Sequence, residues 1–276
     1  MSIELEHVYY TYPNGYTALE DICLTVGEGE KVAIVGQNGA GKTTAVKLMN
    51  RIHKPTKGRV VVDGVDTSTR TTAQIARHVG YVFQNPDDQI FNQSIVAEVQ
   101  YMLRRTKVPE DEIKRRTEYA LALTGLDAYR ETNPYDIPLP LRKFLTIAAV
   151  IATQPRYIIL DEPTAGQDSR GNAILKNIID EMTGKGVAVV TISHDMDFVV
   201  DNFDRVVAMA HKNVILDASA REVFWRDDVL EECRIRRPGI AEIAQQMGCA
   251  DRRVLHCQEL VELVCARRRA QRGEEG

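Results

Sequence analysis

Gly36-Gln37-Asn38-Gly39-Ala40-Gly41-Lys42-Thr43-Thr44 decides how this chain is read. It follows the apolar run Val32-Ala33-Ile34-Val35 and precedes Val46, Met49 and Ile52, which share a helical face before Pro55. Strand, glycine-rich turn and helix in that order are what a GxxxxGK[ST] loop requires. The glycines allow backbone angles closed to side chains, so successive N–H groups turn inward on an anion, and the following helix aims its positive end at the same charge. Lys42 is placed to reach terminal phosphates and Thr43 to offer a hydroxyl to Mg²⁺. Asn38, Gly39, Ala40, Gly41 and Thr44 complete the candidate cradle.

A second element answers the first. Tyr157-Ile158-Ile159-Leu160 is a continuous apolar run that delivers Asp161 and Glu162 at its end, the edge of a parallel sheet where ligands bind. Asp161 is placed in a Mg²⁺ shell, and Glu162 is the natural general base for a water attacking a phosphate. Val187–Ile192 is another such run. Runs of this kind, separated by helical patterns, predict parallel strands covered on both faces. Ile3, Leu5 and His7, then Ile22, Leu24 and Val26, instead alternate with polar neighbours, which predicts half-buried antiparallel strands.

The predicted fold class is therefore α/β with an antiparallel β flank. Strand signals vanish over about 86–153, where Pro109 with Glu110, Asp111 and Glu112 starts a helix that Gly125 can close. This predicts an inserted helical subdomain. After residue 220 the pattern is helical again, with Asp227, Asp228 and Pro238 as start signals and Gly248 as a stop. The expected division is a main domain over 1–220 and a C-terminal helical extension over 221–276, its basic tail from Arg267 frayed.

Composition narrows the function classes. The 276 residues carry 44% hydrophobic content and a formal charge of −4, so no broad basic surface is expected for nucleic acid. No run approaches the roughly 18 apolar residues of a spanning helix. The start MSIELEHVYY has no basic-then-apolar leader, which predicts a chain that stays in the cytosol. Five cysteines without a CxxC pair argue against a disulfide framework and are expected to act as small buried hydrophobes. Cys249, Cys257 and Cys265 are spaced by eight, about 12 Å per step along a helix, too far to share one ion.

Over residues 1 to about 220 the chain resembles the ATP-binding cassette (ABC) ATPases. Tyr12 resembles the aromatic that stacks on adenine, and Gln84, after the run 81–83, resembles the Q-loop glutamine that joins Thr43 and Asp161 around Mg²⁺. Asp168 resembles the D-loop aspartate. His194, in Thr191-Ile192-Ser193-His194, resembles the switch histidine that contacts the γ-phosphate. The stretch Phe83-Gln84-Asn85-Pro86-Asp87-Asp88-Gln89-Ile90-Phe91, with Arg221-Glu222-Val223-Phe224, 240–248 and 259–264, is similar to the energy-coupling factor (ECF) type. That resemblance implies ATP and Mg²⁺ as cofactors, a transmembrane coupling protein read by Asp87, Asp88 and Gln89, and a separate membrane subunit that binds a vitamin or metal ion. It also implies a peripheral position on the cytoplasmic face of the cell membrane.

One family element is disabled. ABC ATPases bind nucleotide between the P-loop of one subunit and the LSGGQ signature of another; Ile137-Pro138-Leu139-Pro140-Leu141 stands at the equivalent place. Prolines donate no N–H and leucines bring bulk without a donor. Arg142 and Lys143 could supply some charge. Phe144 stands where arginine is common, and Gln167 where the D-loop usually has leucine. The expectation is a heterodimer in which a paralogue with an intact signature completes the site around Glu162 and His194. Two alternatives stay open: the ATPase of another ABC importer or membrane-linked complex, and a nucleotide-gated scaffold with negligible hydrolysis.

Overall fold

The computed structural model describes residues 1–249 and 252–271, with side chains through 268. β1 (Ser2–Thr11) and β2 (Thr17–Gly27) form an antiparallel pair, followed by β3 (Lys31–Val35), the phosphate loop and α1 (Lys42–Met49). β4 (Lys57–Val62), β5 (Val65–Asp66), α2 (Thr72–Ile75) and β6 (Val79–Val82) lead into the helices α3 (Ile95–Arg105), α4 (Glu110–Thr124) and α5 (Leu139–Ala152). The alternation resumes with β7 (Tyr157–Asp161), α6 (Ser169–Gly184), β8 (Ala188–Ile192), α7 (Met196–Asn202), β9 (Arg205–Ala210) and β10 (Asn213–Ser219). α8 (Ala220–Phe224), α9 (Asp227–Cys233), α10 (Gly239–Gln246) and α11 (Cys257–Gln271) complete the described chain.

Two sheets result. One has the order β2-β1-β4-β5 and is antiparallel; the other has the order β10-β9-β3-β8-β7-β6 and is parallel except for the hairpin β9–β10. Period two explains why the parallel strands read as unbroken apolar runs. In β3, Val32 and Ile34 pack with Ile3, Leu24 and Met49 beneath the antiparallel sheet, while Ala33 and Val35 pack with Leu145, Ile179 and Val206 on the helical side. β7 divides likewise, Tyr157 and Ile159 to one face, Ile158 and Leu160 to the other. The carboxyl ends of β3, β7 and β8 meet at one edge of the sheet, and the candidate site lies there.

The predicted α/β class with an antiparallel flank is the observed one. α4 begins on its three acids and ends at Gly125, whose φ of 71° suits glycine. α1 is shorter than its periodicity predicts. It stops at Met49, Arg51 turns left-handed with φ 62°, and Ile52 is exposed rather than facing the core. The Arg51 carbonyl accepts from the Thr72 hydroxyl and its guanidinium binds the Arg70 and Ser68 carbonyls, so local ties replace the last helical turn.

The C-terminal helices divide between two cores. Val223, Phe224, Val229, Leu230 and Cys233 of α8 and α9 pack into the main helical-side core, while Ala244, Cys249 and Val254 form a small cluster against Trp225. The start of the basic tail continues α11 to Gln271, and the Arg267 guanidinium donates to the Met247 carbonyl at 2.8 Å. Residues 272–276 of that tail lie outside the described residues. Cys233 and Cys249 are buried as expected, whereas Cys23, Cys257 and Cys265 are exposed, because their strand and helix faces meet solvent. Among the described residues no helix is long and apolar enough to cross a membrane.

Candidate nucleotide site

The phosphate loop is held by two glycines that nothing else could replace. Gly36 has φ 145°, and a Cβ there would lie 2.1 Å from the Met209 carbonyl oxygen on β9. Gly41 has φ 102°, and its Cβ would meet Leu19 Cδ2 at 2.5 Å and the Ala18 carbonyl oxygen at 2.7 Å. The loop is thus wedged between both sheets. Lys42 Nζ donates to the Gly36 and Gln37 carbonyls at 2.7 and 2.9 Å. Burial lowers its pKa, while the Glu162 and Asp161 carboxyls pull it back up.

A cleft of about 350 Å³ opens over this loop. Asn38, Gly39, Gly41, Lys42, Thr43 and Thr44 line its floor, and Asp161, Glu162 and His194 line one wall with Gln84. Tyr12 stands opposite; its hydroxyl lies 3.0 Å from the Thr44 hydroxyl. Ala40 is the predicted loop residue that does not line the cleft. Its side chain is buried and its N–H donates to the Gln37 carbonyl, so it shapes the loop from within. Tyr16, half exposed and loosely stacked on Tyr12 at 6.4 Å, adds a second aromatic wall. Its place could have been suspected from its position across the short turn from Tyr12, but no motif marks it.

The two acids at the end of β7 have different surroundings. Asp161 Oδ2 accepts from the Tyr81 hydroxyl at 2.7 Å, while Oδ1 is buried without a hydrogen-bond partner. Burial raises the Asp161 pKa, against the Tyr81 hydrogen bond and Lys47, Lys42 and Lys143. An orphaned carboxylate oxygen in a cleft that Thr43 and Gln84 also line supplies oxygen donors of the kind that fit a hard cation. Glu162 takes φ 51°, a left-handed angle at the strand end, and its N–H donates to the Ile192 carbonyl. Its Oε2 accepts from the His194 N–H at 3.3 Å, and His194 Nε2 lies 3.3 Å from Oε1. Burial pushes the Glu162 carboxyl up to about 7, and the same burial, with Lys42, lowers the His194 imidazole. Lys143, buried and depressed by desolvation, donates Nζ to the Glu162 carbonyl at 2.7 Å. Neither Tyr81 nor Lys143 is a motif residue; each is found only by the register that sets β6 beside β7 and α5 beneath the loop.

On the far side of the helical insert, Pro138 precedes α5 at the N-cap position and Pro140 lies in its first turn, with no side-chain cap. The Leu141 and Arg142 amides both donate to the Pro138 carbonyl. Leu139 is half exposed. Arg142, which the sequence left as possible compensating charge, is already committed. Its guanidinium grips Asp87 at 3.1 and 3.3 Å, binds the Ile137 and Tyr135 carbonyls, and stacks on the Tyr135 ring. Lys143 points inward, so neither cation faces outward at this helix start. Phe144 is core, Gln167 Nε2 donates to the Pro140 carbonyl, and Asp168 caps α6 through the Gly171 N–H. Gln89 also turns inward, accepting from the Phe83 N–H.

A family profile described as "ABC transporter" matches residues 19–165. The chain belongs to this family. An ABC transporter ATP-binding protein of Pyrococcus furiosus is 39% identical to this ABC ATPase over 246 residues, 89% of this chain and 94% of its own. The energy-coupling factor transporter ATP-binding protein EcfA of Methanocaldococcus jannaschii is 31% identical over 251 residues, 90% of each chain. Among solved structures, cbiO1 of Clostridium perfringens, part of the ABC transporter complex cbiONQ, matches the ABC ATPase with a TM-score of 0.76 at 32% identity, over 89% of this chain and 98% of its own. A dimeric ATP-binding cassette bound to ADP and Pi matches with a TM-score of 0.73 at 23% identity, over 79% and 98%, a likeness of fold.

Proposed function

We propose that this ABC ATPase is one half of an ATPase heterodimer that powers an ECF-type importer of a vitamin or transition-metal ion at the cytoplasmic face of the membrane. The observation that carries this reading is the proline-broken start of α5. Two of its first positions have no N–H, the next two amides are spent on the Pro138 carbonyl, and Arg142 is spent on Asp87. A terminal phosphate presented across a subunit boundary would meet apolar bulk there and, of these first amides, only the Leu139 N–H. The chain's own side is intact, so a paralogue with a working signature completes it.

In this reading Tyr12 and Tyr16 hold the base, the loop amides and Lys42 hold the phosphates, and Thr44 ties the Tyr12 side to the loop. Mg²⁺, held by Thr43, Asp161 and Gln84, would neutralise charge between the phosphates. Glu162 accepts the proton of the attacking water; a carboxyl near 7 is well matched to that task at neutral pH. His194 orients Glu162 and reaches toward the phosphate. Arg142 and Tyr135 join the Q-loop to α5, so motion of Gln84 on nucleotide binding is passed to the insert. Asp88, with exposed Phe91 and Tyr101 packed edge to face, offers the surface for the coupling protein.

The test is ATP turnover by the purified chain, alone and mixed with the paralogous ATPase of its own cell. The mixture should turn over about 100-fold faster than the chain alone, the cost typical of missing charge-stabilising donors. Brisk turnover by the chain alone would sink the heterodimer, and no turnover in either sample would favour a nucleotide-gated scaffold.

A further inference from the structure

The antiparallel sheet carries a side-chain group that the nucleotide chemistry does not use. His7 on β1 and Asp21 and Cys23 on β2 bring one ligating atom each within 4.8 Å of one another. His7 Nδ1 lies 2.9 Å from Asp21 Oδ1 and 3.7 Å from Cys23 Sγ. All three side chains are exposed. The backbone explains the convergence. The β1–β2 register slips between Leu5 and Val8, and His7 and Asp21 take left-handed φ of 49° and 56°. Such irregularities re-aim side chains, and here they set an imidazole and a carboxylate beside the thiol. The His7 N–H also donates to Cys23 Sγ at 3.4 Å, which holds the sulfur in place.

We propose that His7 Nδ1, Asp21 Oδ1 and Cys23 Sγ form a binding site for one zinc-class divalent ion, with solvent water as the fourth ligand. A tetrahedral ion with bonds of about 2.0 Å to nitrogen and oxygen and about 2.3 Å to sulfur holds N and O about 3.3 Å apart and N and S about 3.5 Å apart. The observed 2.9 and 3.7 Å lie a few tenths of an ångström to either side, and the carboxylate oxygen and the sulfur lie within 4.8 Å of each other, so rotation of the exposed Asp21 and Cys23 side chains closes the set around the ion. Mixed N, O and S donors favour Zn²⁺ or Co²⁺ over Mg²⁺, so this site does not compete for the hard cation at Asp161. Binding releases the thiol proton to solvent, and the neutral imidazole keeps its single proton on Nε2. The ion ties β1 to β2 on the strands that lead to Tyr12 and Ala18 in the cleft.

The test is titration of the full-length, reduced, nucleotide-free protein with Co²⁺. One equivalent should bind with a near-ultraviolet thiolate-to-cobalt charge-transfer band. Cys23→Ser should abolish that band, His7→Gln and Asp21→Asn should weaken binding about tenfold or more, and the double variant Cys257→Ser/Cys265→Ser, which removes the other exposed thiols, should keep it. Zn²⁺ should slow alkylation of Cys23 about tenfold, since a metal-bound thiolate is shielded from the reagent. Because the three side chains are exposed, circular dichroism should find each variant folded like the parent without metal. No charge-transfer band in the parent protein, or a band that survives in Cys23→Ser, overturns the site.

Discussion

Asp161 and Glu162 are neighbours in the chain, yet their oxygens are satisfied so differently that they cannot exchange duties. Tyr81 occupies one Asp161 oxygen and leaves the other bare, whereas both Glu162 oxygens face His194. Glu162→Gln should retain MgATP binding and lose about 100-fold or more in turnover, measured as steady-state phosphate release with the partner present. Its pH signature has a definite sign. The folded carboxyl sits at about 7 against an ordinary 4.5, so the native state holds a proton that the unfolded chain has lost. Stability then falls as pH rises through that window. Thermal unfolding of Glu162→Gln should lack this part of the decline, and parallel pH profiles for parent and variant would refute the assignment. Tyr81→Phe removes the hydrogen bond to Asp161 Oδ2 and should weaken Mg²⁺-dependent nucleotide binding several-fold, read by titration with a fluorescent nucleotide.

Two local elements fix the site's shape. The phosphate loop is wedged by backbone contacts, so Gly36→Ala, which sets a Cβ against the Met209 carbonyl, should cost about 2–4 kcal/mol in urea unfolding and remove nucleotide binding. The Q-loop is clamped to α5 through Arg142. Because Asp87 is partly exposed, Asp87→Ala should cost no more than about 1 kcal/mol of stability. Arg142→Lys should still lose the clamp, since an ammonium cannot grip two oxygens, bind two carbonyls and stack on Tyr135 together. Reduced coupling of ATP turnover to the membrane partner, at nearly unchanged folding stability, is the expected readout. The P-loop, its strand and its helix were legible because they are contiguous and their chemistry is local. The Arg142 clamp was not, because Asp87 and Arg142 come together only when α5 packs across the Q-loop.

The proposed heterodimer rests on what the chain retains and what it lacks. Replacing Ile137-Pro138-Leu139-Pro140-Leu141 by Leu-Ser-Gly-Gly-Gln restores a hydroxyl and free amides at the start of α5 and should raise turnover of the isolated chain about tenfold or more, through pairing of two copies. Unchanged turnover in a folded, self-associating variant would mean that the prolines are not what separates the two subunits' duties.

The order of strand, glycine loop and helix, the acid pair after β7 and the prolines at 138 and 140 were determined by sequence alone, because each acts through backbone freedom or a donor count that neighbouring residues dictate. Only the tertiary structure decided that Ala40 stays inside the loop, that Tyr16, Tyr81 and Lys143 join the site, and that Arg142 and Lys143 are committed elsewhere. It likewise decided that His7 meets Asp21 and Cys23. Those facts depend on strand register and helix packing between distant segments, which burial of both sheet faces sets collectively and no short stretch encodes.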